Sequence, residues 1–367
     1  MDFLVGPLML AAAEAGNTKR LIATLKYIRN IDFEGDWKDT ALHKAACKGH
    51  NDAVLLLLAK GASIEAMNTN NHTPLHLATQ NRHTSTVELI LIKGASIKIT
   101  DNNAETVLHF AARNGHTEMV ELLLGKGASI EARNSFNYVP LYLAARNGHT
   151  GTVEVLLRKG ALIDAVDEDN NTLLHFAARG GYIDTAELLL TKGAPIDAAN
   201  SYIETPLHLA SQYGHVRMVE LLLTKGAPIE AVDCYTMTPL HIAAEYGQRG
   251  VAELLLEKGA LIGALDEGNS TPLHLAARSG HPGVVELLLD KGAPTEGINL
   301  YGRTPLHLVA LMGGTKVVGL LLGRGASIHA MDQDNKTPLD IAEQQGHHEM
   351  VKLFRGKAAE TATRMLE

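Results

Sequence analysis

Eighteen histidines and two cysteines are the residues of this 367-residue chain whose types could hold a metal, move protons or attack a substrate. Imidazole ligands must converge on one point, and a general base needs a partner beside it. The histidines here run in register instead. His43, His76, His109, His175, His208, His241, His274 and His307 each stand three residues after a Thr, at steps of 33 residues or a multiple of it. His50, His83, His116, His149, His215, His281 and His347 each follow a Gly or, once, Arg82. Such a ladder predicts neutral rings that bridge a capping Thr to nearby backbone, or turn residues at the surface, and neither a catalytic nor a metal-binding set. His72, His329 and His348 stand outside the ladder, with His72 at an expected turn tip.

Cys47 and Cys234 lie in different repeat units, on the order of 50 Å apart at about 10 Å per layer, far beyond disulfide reach. Two cysteines make no disulfide framework, which fits a reducing compartment and a cytoplasmic location. The stretch Met312-Gly313-Gly314-Thr315-Lys316 lacks the spacing of a phosphate loop and reads as a turn between helices. No H-E-x-x-H, G-x-S-x-G, C-x-x-C or G-x-G-x-x-G occurs. The expectation is therefore no catalytic residue, no metal and no cofactor.

Composition narrows the partners. With 33 Lys plus Arg against 41 Asp plus Glu, the chain carries a formal charge of -8, the wrong sign for phosphate contacts, so nucleic acid is not expected. The longest uninterrupted apolar run, Ala53–Ala59, is far short of the roughly 18 residues of a membrane helix, so no membrane partner is expected either. Phe3 to Ala13 is apolar, but Asp2 precedes it in place of a basic segment and Gly6-Pro7 interrupts it, which argues against a secretory signal. Aromatics make up only 4% of the chain, too few to anchor large globular cores, so Leu, Ala and Gly must do the close packing.

The elements that position these residues follow from one repeat. Thr-Pro-Leu-His-Leu-Ala occurs intact at Thr73, Thr205 and Thr271, with close variants starting at Thr40, Thr106, Val139, Thr172, Thr238, Thr304 and Thr337, every step being 33 residues. An eroded copy, Gly6 to Ala11, precedes them, which makes eleven units. Thr caps a helix whose first position is usually Pro, where a missing N–H costs nothing. That helix ends at a Gly such as Gly115, Gly148 or Gly214, and a second runs through residues such as Val120 and Leu122 to a Lys-Gly-Ala stop. Between units an Asp or Asn recurs at 68, 101, 134, 167, 200, 233, 266, 299 and 332, as a turn requires. Arg82 occupies a left-handed Gly position and predicts local strain.

This T-P-L-H-x-A pattern on a 33-residue period resembles the ankyrin repeat family. The resemblance implies an all-α solenoid of paired antiparallel helices with β-hairpin or turn tips. Residues 1–39 are expected to form an N-terminal capping repeat, 40–336 nine repeats of 33 residues, and 337–367 a C-terminal capping repeat and tail, with His replaced by Asp340 in the last unit. In this family the concave groove and the tips usually contact partners. Specificity must then reside where units differ, at the tips and just before the first-helix Gly.

Those positions hold eight of the sixteen aromatics of the chain. The expected partner-binding residues are Trp37, Arg113, Phe136, Tyr138, Arg146, Arg179, Tyr202, Tyr213, Tyr235, Met237, Glu245, Tyr246, Arg278, Tyr301 and Met312. Tyr, Trp, Met and Arg are enriched at binding hot spots, so the expected function is a non-catalytic interaction scaffold, monomeric, that holds a protein or peptide segment. Arg113, Arg146 and Arg179 could together hold an acidic segment. The alternative is a small-molecule-binding or enzymatic groove in which Tyr213, Glu245, Tyr246 and Arg278 converge.

Overall fold

The computed structural model describes residues 2 to 366, and side chains through residue 359. Met1 and Glu367, the outer ends of the two expected terminal segments, lie outside the described residues. Twenty-two α-helices occur among the described residues, and almost no strand. No described helix is long and apolar enough to cross a membrane. The chain forms two compact units, Met1–Glu168 and Asp169–Glu367.

Within each unit the fold is the expected stack of helix pairs. In the unit from residue 169, a short first helix such as Pro239–Glu245 is followed by a second such as Arg249–Glu257, and each packs on its counterparts one repeat away. The first helices present Leu and Ala on all sides, with Leu240, Ala243 and Ala244 essentially sealed from solvent, because helices lie on both flanks. The second helices bury a narrower face, here Val251, Ala252 and Leu255.

In eight of the repeats a histidine closes the layer onto the next. Thr Oγ1 lies 2.8 or 2.9 Å from the His Nδ1 three residues on, and the Thr backbone N–H donates to the same nitrogen at 3.0 to 3.2 Å. An Nδ1 that accepts leaves the proton on Nε2, and that N–H donates to a tip carbonyl 29 residues ahead, from His43 to His72 and from His241 to Ser270. One neutral ring therefore caps its own helix and staples the next repeat. In the last unit Asp340 makes the cap alone, accepting from Thr337 N and Oγ1.

The turn histidines prove to be more than surface residues. His149 Nε2 donates to the carbonyl of Arg113 at 2.8 Å and His281 Nε2 to that of Glu245 at 2.9 Å, each reaching back 36 residues. The ring lies flat on the preceding turn, so a Cβ on Gly115 would meet His149 at 2.5 Å. The Gly thus serves two ends, a left-handed φ of 68° and room for the ring. Where Arg82 replaces it, with φ 61°, His116 bonds Thr79 through Nδ1 in place of Nε2. Arg82 also pairs with exposed Glu118 at 3.0 Å.

The tips are turns closed by their Asp or Asn. Asp233 Oδ1 accepts from Tyr235 N at 2.8 Å and Met237 N at 2.9 Å, and Asn299 repeats the pattern with Tyr301 and Arg303. The residue before the last of these is left-handed. Asn and Gly suit it, but Ile203 at φ 59° and Thr236 at φ 55° are β-branched, which the sequence reading did not anticipate. Relief of that strain should be measurable: Ile203→Asn and Arg82→Gly should each raise stability by about 1 kcal/mol. A higher urea midpoint with unchanged slope checks this, and no shift in either variant refutes it.

Both ends of the chain differ from the internal repeats. The first helix runs Asp2–Glu14 with Pro7 inside it, because no Thr caps the chain at Pro7, and Phe3 and Leu4 remain exposed. The expected C-terminal tail is instead helical. His348–Leu366 spans 19 residues and carries through Gly356, because no Gly-Ala turn follows and Lys357, Ala358 and Ala359 favour helix.

Candidate functional site

The cap histidines are neutral framework. Burial lowers the pKa of His43, His109, His208, His241, His274 and His307, and that of His76 to about 4, with the nearby His72 adding to the effect. His72 stacks at 5.9 Å on His76, meets Phe110 edge-on at 5.1 Å and lies 3.5 Å from Asp101. Among the described residues no group of three His, Cys, Asp or Glu could hold a metal ion.

In the unit from residue 169, the tips and the first-helix ends bound two open cavities. One, of about 510 Å³, is lined by Tyr235, Met237, Glu245, Glu267, Arg278 and Tyr301 among others, over a floor of Leu275, Leu308 and Leu311. The second, of about 330 Å³, is lined by Tyr202, Tyr213, Tyr235, Arg179, Glu204 and Asp233 over Phe176 and Leu209. Tyr235 belongs to both, so the two form one trough. Backbone bonds between tips set its regularity: Cys234 N–H donates to the Tyr202 carbonyl at 2.9 Å and Glu267 N–H to the Tyr235 carbonyl at 3.1 Å. Because the third tip residue is left-handed, each Tyr is held at the apex and left half-exposed.

The trough organises its own charges. Arg278 binds Glu245 at 2.7 Å, and Arg303 binds the buried Asp332 at 3.2 Å while lying 5.6 Å from the Tyr301 ring. Arg179 sits 5.2 Å over the Tyr213 ring, a cation–π arrangement. Tyr246 and Met312 are exposed but line neither cavity. The quartet Tyr213, Glu245, Tyr246 and Arg278 therefore does not converge: only Glu245 and Arg278 meet, since Tyr213 and Tyr246 each follow the last residue of a different first helix.

The unit that ends at Glu168 holds a third cavity, of about 490 Å³, lined by Arg113, Phe136, Tyr138, Leu143, Arg146 and Asn147. Phe136 stacks on Tyr138 at 5.8 Å and Tyr138 on buried Tyr142 at 4.1 Å. Tyr142 takes the His place in the repeat whose cap is Val139, and burial raises its phenol pKa. Arg113 and Arg146 do not act as equal rungs. Arg113 is bound in bidentate fashion to Glu105, whose carboxylate is almost wholly buried, whereas Arg146 lies 5.9 Å over the Tyr138 ring. Trp37 stands apart, exposed in the turn Asp36–Lys38, with its carbonyl accepting from Thr69 N.

Sequence reasoning missed most of the trough's floor and part of its wall. Asp233 and Asp266 read only as turn formers, and Leu209, Leu275 and Leu308 only as core, whereas Leu311 already stood among the positions that vary between units. It also missed an exposed apolar stripe, Val232, Leu265, Ile298 and Met331. Its 33-residue spacing was a signal that could have found it.

Comparison with known proteins agrees with this architecture. A sequence profile described as ankyrin repeats, in three copies, matches residues 8–101, 86–167, 108–200, 174–266, 260–332 and 295–364. A search of curated proteins returned no match. Among solved structures, the crystal structure of the human ASB11 ankyrin repeat domain is similar, at 29% identity and a TM-score of 0.53, with 56% of this chain and 92% of that chain covered.

Proposed function

We propose, from the premise that this chain belongs to the ankyrin repeat family, that it is a non-catalytic module that binds an extended protein segment in the trough between residues 169 and 311. Ankyrin repeats are in general protein–protein interaction modules. The observation that carries the finer reading is the row of half-exposed rings Tyr202, Tyr213, Tyr235 and Tyr301 around the two cavities. The exposed half of each ring adds nothing to the stability of the free fold, and hot spots are built from such rings beside Arg. The cavities are open and continuous at Tyr235, which suits a chain that passes along them better than an enclosed small molecule.

The test uses the full chain and short peptides selected on it from a random display library. Tyr213→Ala combined with Tyr235→Ala should weaken the selected peptides at least tenfold, about 1.4 kcal/mol or more, with the melting temperature unchanged. Unaltered affinity would place the binding surface elsewhere.

A further inference from the structure

We infer that the segment held in this trough is basic, an extended stretch with Arg or Lys at about every third residue; the inference rests on the trough being the binding surface and adds the chemistry of its occupant. The first observation is the charge left after internal pairing. The cations that line the larger cavity are already engaged, Arg278 with Glu245 and Arg303 with Asp332. Glu204, Asp233, Asp266 and Glu267 make no ion pair among the described residues, although turn N–H groups use one oxygen of Asp233 and of Asp266 and the Asn200 amide donates to one oxygen of Glu204 at 2.9 Å. Both cavities therefore present an excess of carboxylate, against Arg179 as the one further cation in their linings.

The second observation is independent of charge counting. Tyr213 and Tyr301 already carry a guanidinium on their faces, from Arg179 and Arg303, but among the described residues no cation lies over Tyr202 or Tyr235. These two rings stand on successive tips joined by the Cys234 to Tyr202 backbone bond. Where a ring and a carboxylate line one cavity, Tyr202 with Glu204 and Tyr235 with Glu267, a guanidinium or ammonium can be held through the ring quadrupole and a charge-assisted hydrogen bond together. The aliphatic stem of that side chain can lie on the leucine floor. Successive layers are about 10 Å apart, which an extended chain crosses in about three residues at roughly 3.3 Å each.

The random library answers this directly. Peptides enriched on the wild-type chain should carry Arg or Lys at third positions, and Glu204→Gln with Glu267→Gln should weaken them about fivefold, more at low than at high salt. Enrichment of neutral or acidic peptides, or no effect of the two Gln substitutions, overturns the inference. If neutral peptides still lose binding in the Tyr213→Ala/Tyr235→Ala variant, the basic character fails while the trough reading survives. If basic peptides are enriched but those Tyr substitutions leave them bound, both readings fall, because the cations then bind elsewhere.

Discussion

On acidification from about pH 6.5 to about 4, the protein should lose stability steeply. Each cap imidazole is held neutral by burial and by two donors that face Nδ1, the Thr N–H and O–H, so a proton at Nδ1 would confront both. In the unfolded chain the same rings titrate near 6.5. Folded values lie below the unfolded one, so between the two the unfolded state binds more protons. The stabilisation is complete above about 6.5 and is lost as pH falls through the folded value. For His76, whose neighbours include His72, Asp101 and Glu105, the fall from 6.5 to about 4 is worth roughly 3 kcal/mol. Six more rings shift the same way. Urea midpoints measured across that range should fall continuously, with several protons taken up on unfolding. A flat profile down to pH 4.5 would mean that the rings tolerate charge and that the staple assignment is wrong.

Removal of one staple should damage the framework about as much as truncation of a buried core leucine. His241→Ala leaves the Thr238 N–H and hydroxyl without their Nδ1 partner, takes from the Ser270 carbonyl one of its two donors, the Asp266 N–H remaining, and empties the space of a fully buried ring. Stranded buried polar groups cost about 1 to 3 kcal/mol each and partly relax, so a net loss of about 3 kcal/mol is expected. A Thr238→Ala, His241→Ala cycle should show coupling, because the first substitution already removes the Oγ1 to Nδ1 bond that the second would break, while the Thr238 backbone N–H remains in both. Denaturant melts of the three variants check this, and additive losses would contradict it.

The framework was legible in the sequence because each layer repeats one solution. Thr, Pro, His and the turn Gly each answer a single local demand, a cap, a first-turn φ, a bridge or a left-handed residue, and 33-residue phase then places the next layer. The surface was legible only by position. That Tyr202, Tyr213, Tyr235 and Tyr301 are exposed followed from where units differ, but which of them share a cavity depends on side-chain direction between layers, as the exclusion of Tyr246 shows. Arg113 likewise looked available, and only the fold reveals that buried Glu105, one tip away, has taken its charge. The left-handed backbone of Ile203 and Thr236 was hidden because neither residue type predicts it.

The account divides the molecule into a framework that carries stability and a variable trough that carries recognition. One paired measurement tests that division: the affinity for a selected peptide and the melting temperature, on the same samples of His241→Ala and of Tyr213→Ala/Tyr235→Ala, with affinity taken well below either melt. The prediction is opposite behaviour, a lower melting temperature with near-native affinity for the first and a native melting temperature with affinity at least tenfold weaker for the second. Parallel losses of both quantities in both variants would contradict it.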